Sequence, residues 1–150
     1  MVKTIYTNPS FLGIVWYRIS HWLWLNRRNP ILFILLIFNR FFYPFIRIYT
    51  LLELTPKTMI GEGLYIAHFG PTIIHSGTVA GNNLTLLPGV VIGAAKSGIP
   101  TIGNNVSIGA GAVVIGKIKI GDNVRIGANA VVTKDVNDGE VVIGIPARPV

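Results

Sequence analysis

From Ile102 onward, branched aliphatic side chains return at every sixth position, Ile102, Ile108, Val114, Ile120, Ile126 and Val132, with glycine directly after four of them. A period of six matches neither the 3.6-residue turn of an α-helix nor the two-residue alternation of an ordinary strand. It suits a solenoid of short parallel strands, in which each six-residue unit forms one side of a triangular coil and three units complete a turn. A second column four residues on, Val106, Ala112, Ile118, Val124, Ala130 and Val136, is small or branched throughout. Two columns in phase predict side chains stacked inside the coil, with glycine permitting the backbone angles of the corners.

The repeat extends toward the N-terminus less cleanly. Ile60 and Ile66 keep the phase, after which Ile73, Val79 and the run from Leu84 to Val91 stay apolar in a register shifted by one residue. The shift predicts a bulge or small insertion near Gly70-Pro71. Residues 96–101, Lys-Ser-Gly-Ile-Pro-Thr, interrupt the coil and read as a loop protruding from a corner, because glycine and proline so close together disfavour both ladder pairing and helix. Such loops are where a solenoid builds a site.

A chain of 150 residues with 51% hydrophobic content accommodates one compact repeat domain. Cysteine is absent, which excludes disulfides, thiolate metal sites and a cysteine nucleophile. Charge is unevenly placed. Residues 1–57 hold Lys3, Arg18, Arg27, Arg28, Arg40, Arg47 and Lys57 against Glu53 alone, which is +6 of the total +7. The coil is nearly neutral, so the basic balance argues against a nucleic-acid partner, and no nucleic-acid-binding motif is present.

Residues 1–52 are expected to form an apolar, basic helical hairpin, and residues 53–150 the repeat domain. Two apolar stretches, 11–25 and 30–52, flank Asn26-Arg27-Arg28-Asn29, with Pro30 suited to the first turn of the second helix. Arg18 and His21 interrupt the first stretch, and Asn39, Arg40 and Arg47 the second, so neither reads as a clean membrane span. Trp16, Tyr17, Trp22 and Trp24 beside Arg18, Arg27 and Arg28 form the mixture favoured at a bilayer interface. The hairpin is therefore expected to lie on a membrane, the alternative being burial against other subunits. No signal-peptide pattern is present.

Three histidines are available: His21 in the helical segment, and His68 and His75 in the first turns of the coil. Glu53 precedes His68 by 15 residues, close to one coil turn of about 18. A carboxylate on one imidazole nitrogen fixes the tautomer and frees the other as a general base, so Glu53 and His68 are the candidate dyad. His75 is the reserve candidate, as a second base or an acceptor contact.

The chain resembles the left-handed parallel β-helix acyltransferases, and within them the serine acetyltransferase branch. The resemblance runs from about Glu53 to Val150. It rests on Ile60-Gly61-Glu62-Gly63-Leu64 leading to His68, on Val90-Val91-Ile92-Gly93, on Ile108-Gly109-Ala110-Gly111-Ala112, on Ile126-Gly127-Ala128-Asn129-Ala130 and on the closing Gly144-Ile145-Pro146-Ala147-Arg148. It implies an all-β left-handed coil behind the helical hairpin, a homotrimer with active sites between subunits, and acetyl-CoA as cosubstrate with no metal. It implies His68 as the base that deprotonates the acceptor hydroxyl, with Glu53 where the family has aspartate. The pantetheine arm is expected along Ala94, Ala110 and Ala128, an oxyanion contact near Gly93 or Ala94, and the phosphates of CoA near Lys134 and Arg148.

Two departures bear on the acceptor. The family has aspartate directly before the catalytic histidine where this chain has Ala67, and an Arg-His pair in the protruding loop that residues 96–101 lack. The carboxylate and ammonium of L-serine then lose their usual partners. The expectation is accordingly a capsule or exopolysaccharide type of O-acetyltransferase, acting on a hydroxyl of a sugar or lipid-linked glycan from the cytoplasmic face of a bacterial membrane. Serine O-acetylation is the alternative, and a non-catalytic scaffold a second one. A zinc anhydrase on the same coil needs three histidines near one interface and fails on the position of His21.

Overall fold

The computed structural model describes residues 8–150; Lys3 of the basic set lies outside them. Two helices, α1 (Ser10–Leu25) and α2 (Pro30–Thr50), precede a coil of two- and three-residue strands. The first face of the coil stacks β1 (Leu52–Glu53), β4 (Thr72–Ile74), β7 (Val91–Gly93), β10 (Val113–Ile115) and β13 (Val131–Val132). The second stacks β2 (Met59–Ile60), β5 (Val79–Ala80), β8 (Thr101–Ile102) and β11 (Lys119–Ile120). The third stacks β3 (Tyr65–Ile66), β6 (Thr85–Leu86), β9 (Ser107–Ile108), β12 (Arg125–Ile126) and β14 (Val141–Ile143), closed by antiparallel β15 (Arg148–Pro149). All other pairings are parallel between successive turns, giving the expected left-handed parallel β-helix of about five turns.

The interior confirms both apolar columns. Ile102, Ile108, Val114, Ile120, Ile126 and Val132 are buried, as are Val106, Ala112, Val124 and Ala130. Earlier in the chain the register differs from the one-residue shift expected. The buried residue after Ile66 is Ile74, with Ile73 and Val79 pointing outward at 42% and 43% exposure. Two residues are therefore inserted between Ile66 and Ile74, and the six-residue phase then resumes through Ala80, Leu86 and Ile92, all buried. Reading Ile73 as the inward residue puts the wrong partner of an apolar pair inside.

The corner between the second and third faces is held by an amide ladder. Asn83 Nδ2 donates to Asn105 Oδ1 at 2.9 Å, and Asn105 Nδ2 to Asn123 Oδ1 at 3.1 Å. All three asparagines have left-handed backbone angles, φ 58°, 56° and 59°. Asparagine tolerates this region better than other side-chain-bearing residues and offers the next turn both a donor and an acceptor.

The first turn needs partners for its outer edge, and the hairpin supplies them. Tyr17 is buried, its hydroxyl donating to Thr58 O at 2.8 Å and accepting from Ile60 N at 3.3 Å. Arg18 donates to Ile60 O at 2.7 Å and also to Gly61 O. His21 Nδ1 lies 2.8 Å from Pro56 O, which makes it the protonated nitrogen. Tyr17 and Arg18 are thus seam residues of the coil, a correction to the expectation that they face a bilayer with Trp22 and Trp24. Helix α2 starts as expected: Asn29 Oδ1 accepts from Ile31 N at 2.9 Å and Leu32 N at 3.3 Å, with Pro30 next. Ser20 Oγ bonds Asn39 Oδ1 at 2.7 Å between the helices.

Candidate active site

The two-residue insertion forms the edge between the third and first faces, and it carries His68. Its imidazole is exposed and has no hydrogen-bond partner among the described residues. Its backbone is fastened from the hairpin side: Ser10 Oγ donates to His68 O at 3.4 Å, and Asn8 Nδ2 to Ile66 O at 3.0 Å. These two residues escaped the sequence reading; the cap-like Asn8-Pro9-Ser10 ahead of α1 is the signal that marks them.

Above His68 the same edge continues through small residues. Gly89 N donates to Pro71 O at 2.6 Å, Gly111 N to Pro88 O at 2.9 Å, and Asn129 N to Ala110 O at 2.8 Å. Ala110 and Ala128 therefore stand on successive turns above His68. A Cβ added to Gly109 would lie 2.5 Å from Ala128 N, so the edge is already at van der Waals closeness. A thin extended ligand finds backbone here without side chains in the way.

Glu53 is not brought to His68. It sits on β1 with its carboxylate 3.3 Å from Arg47 Nη1, both side chains about half exposed. Strand register sets Glu53 beneath Ile73, five residues beyond His68 and on the first face rather than at the edge. Among the described residues Glu53 is paired with Arg47, and no hydrogen bond joins it to His68.

A second group gathers at the opposite edge, between the first and second faces. His75 N donates to Ile92 O at 2.8 Å, placing His75 one turn below Gly93. Its Nδ1 accepts from Gly77 N at 3.1 Å, which puts the imidazole proton on Nε2. The interrupting segment closes through Ala95 N to Gly98 O at 2.9 Å and Gly98 N to Ala95 O at 3.0 Å, a tight turn whose base is tied by Lys117 N to Ser97 Oγ at 3.2 Å. Its Ile99 folds back over the His75 turn: a Cβ on Gly77 would meet Ile99 Cδ1 at 2.5 Å. Ala94 and Lys134 are exposed on this edge, and Arg148 is exposed on β15. The candidates thus divide into His68, Ala110 and Ala128 on one edge, and His75, Gly93, Ala94 and Lys134 on the other. Among the described residues no cluster of three His, Asp or Glu converges to hold a metal.

Comparison with known proteins agrees with this geometry. Residues 99–134 match the model for the bacterial transferase hexapeptide, six repeats. The chain is 37% identical over 146 residues to a serine acetyltransferase of Synechococcus elongatus, covering 95% of this chain and 57% of that protein. A serine acetyltransferase of Mycobacterium tuberculosis is 35% identical over 155 residues, 99% of this chain and 64% of the relative. The structure of Neisseria gonorrhoeae serine acetyltransferase in complex with serine superposes with a TM-score of 0.80 at 32% identity, over 95% of this chain and 57% of that one. A serine acetyltransferase in complex with CoA gives 0.81 at 30% identity, over 95% and 57%.

The chain carries the hexapeptide repeat and the left-handed β-helix of these acetyltransferases. It spans less than two thirds of the length of these relatives. The acceptor expected from the sequence is corrected: the relatives of this chain are serine acetyltransferases, and the capsule or exopolysaccharide reading is overturned by them. That reading rested on Ala67 and on the missing Arg-His pair. Both concern which side chains hold an amino acid's charges, and neither outweighs identity that runs through nearly the whole chain, hairpin included.

Proposed function

We propose that this chain transfers the acetyl group of acetyl-CoA to the hydroxyl of L-serine. The observation that carries the reading is the similarity to serine acetyltransferases across 95% of the chain, with a superposed structure bound to serine and another bound to CoA. His68 is the base: it takes the hydroxyl proton as the serine oxygen attacks the thioester carbonyl, and returns it to the departing CoA sulfur. Backbone N–H groups near Gly93 and Ala94 face the developing oxyanion. Glu53 is held by Arg47 in a half-exposed pair worth about 0–1 kcal/mol, so turning it to orient the imidazole costs little.

The two edges lie at opposite ends of the first face, which supports a homotrimer in which the His75 edge of one subunit meets the His68 edge of its neighbour. In such a cleft the pantetheine arm follows Ala110 and Ala128 from below and Ala94 from across, with Lys134 and Arg148 toward the phosphates. The Nε2–H of His75 is a donor for the serine carboxylate that the loop does not otherwise serve. A cytoplasmic site of reaction is part of this proposal, acetyl-CoA being available there. The test is incubation of the protein with acetyl-CoA and L-serine, with CoA release followed by thiol titration and O-acetylserine by mass. Serine-dependent CoA release above the blank is expected; release no faster with serine than without it overturns the proposal.

A further inference from the structure

Helix α2 leaves most of its circumference uncovered. Leu36, Asn39 and Thr50 are its buried residues, facing α1 and the coil, while Ile34, Phe38, Phe41, Phe45 and Ile48 stand 63% to 72% exposed. By length and composition α2 passes as a membrane span with 6% of the span buried. It is tied laterally, however, by the Ser20–Asn39 hydrogen bond and by Arg47 to Glu53, and it carries Asn39, Arg40 and Arg47 within the apolar run. A helix so tied lies along a surface rather than crossing it.

Beside this face a groove of about 490 Å³ opens between the hairpin and the first turn of the coil, with Trp24, Ile37, Arg40 and Lys57 in its walls. Lys57 Nζ stands 5.3 Å from the Trp24 ring, and the Arg40 guanidinium 4.7 Å from that of Tyr43. Arg27 covers the same tryptophan at 4.1 Å. In residues 1–57 the one carboxylate is Glu53, and Arg47 already holds it. Apolar walls with two cations at the rim and no acid to balance them describe a receptor for an amphiphile with a negative head.

We propose that the exposed face of α2 and the Trp24–Arg40–Lys57 groove dock this protein on a bilayer of anionic phospholipid, the groove taking a lipid phosphate between Arg40 and Lys57. Charge decides between this occupant and a second copy of the chain. Two such faces packed together would gather the Arg27, Arg40 and Lys57 cations of both copies into one interface, with no acid among the groove's lining residues to pair them. An anionic surface answers the same cations favourably, each basic side chain adding to the attraction within a Debye length. The inference does not depend on the acetyl acceptor.

The test is flotation of the full chain with vesicles of phosphatidylcholine alone and of phosphatidylcholine with one quarter phosphatidylglycerol, at about 0.1 M salt. At least tenfold stronger binding to the anionic vesicles is expected, and weakening as salt rises. Arg40→Glu with Lys57→Glu is expected to lose that preference while serine acetylation is unchanged; Arg40→Gln with Lys57→Gln, the milder pair, shifts the same way should the reversals disturb folding. Phe38→Ser with Phe41→Ser is expected to weaken binding to both vesicles. Equal binding to both compositions overturns the proposal, as does binding indifferent to the Arg40 and Lys57 changes. Failure to float overturns it too, and a larger assembly by sedimentation that the Phe38 and Phe41 changes dissociate would assign the face to a second copy.

Discussion

The turns between Ile102 and Val132 and the turns before them are built from the same unit, yet they are used differently. In the later turns the buried column keeps its six-residue spacing without a break, and each face repeats every 18 residues, as in Thr101 to Lys119 and Val113 to Val131. In the earlier turns the spacing breaks twice. One break adds two residues after Ile66 and sets out His68; the other, after Ile92, adds the loop that folds over His75. Regular turns bury side chains and offer a ligand only backbone and small residues such as Ala110 and Ala128. Irregular ones release the chain from the ladder long enough to display a functional group, while the ladder on either side holds that group in place.

Changes at the irregular edge should strike rate, and changes in the regular turns should strike stability. The largest effect expected is His68→Ala, with kcat for serine-dependent CoA release lower by about 10² to 10⁴ and the thermal midpoint within a degree or two. Next is Ile120→Ala, which empties a fully buried position in the column. A cost of about 2–5 kcal/mol is expected in urea unfolding, without loss of the coil's circular-dichroism signature. Smaller is Asn105→Ala, which removes two ladder hydrogen bonds and leaves alanine at φ 56°. It should cost about 1–3 kcal/mol by the same measurement, whereas Asn105→Gly, free of the backbone penalty, should cost less.

The smallest effect expected concerns the seam between hairpin and coil. Burial pushes the Tyr17 hydroxyl above the ordinary tyrosine pKa, against weaker lowering by the Ile60 hydrogen bond and Arg18. Its folded-state pKa is therefore the higher one, so its contribution is whole below about pH 10, where the unfolded chain titrates, and is lost as pH rises through the folded value. Tyr17→Phe should cost about 1 kcal/mol at neutral pH and flatten the fall in stability on the alkaline side, read from urea midpoints at stepped pH.

How much of this was legible depends on where periodicity carries the information. The columns from Ile102 to Val132 could be counted directly, since only one phase places them all inside. At Ile73-Ile74 two apolar neighbours made either phase plausible, and the two-residue insertion read as a one-residue drift. The Arg47–Glu53 pair was not legible either, because Arg47 lies on a helix at a spacing that no repeat encodes. Tyr17 and Arg18 read as interfacial because aromatic and basic residues side by side look alike whether they meet lipid or a strand edge. The acceptor was misjudged from three missing side chains, a local absence, while the likeness that corrects it is spread along the chain.

The division of labour is tested most directly by crossing the two kinds of variant in one experiment: kcat with L-serine and the thermal midpoint, measured together for His68→Ala and Ile120→Ala. The account predicts that His68→Ala loses at least about a hundredfold in kcat at an unchanged midpoint, and that Ile120→Ala loses several degrees while keeping kcat within about threefold below its transition. An active His68→Ala protein, or a His68→Ala protein whose lost rate follows a lost fold, would contradict it.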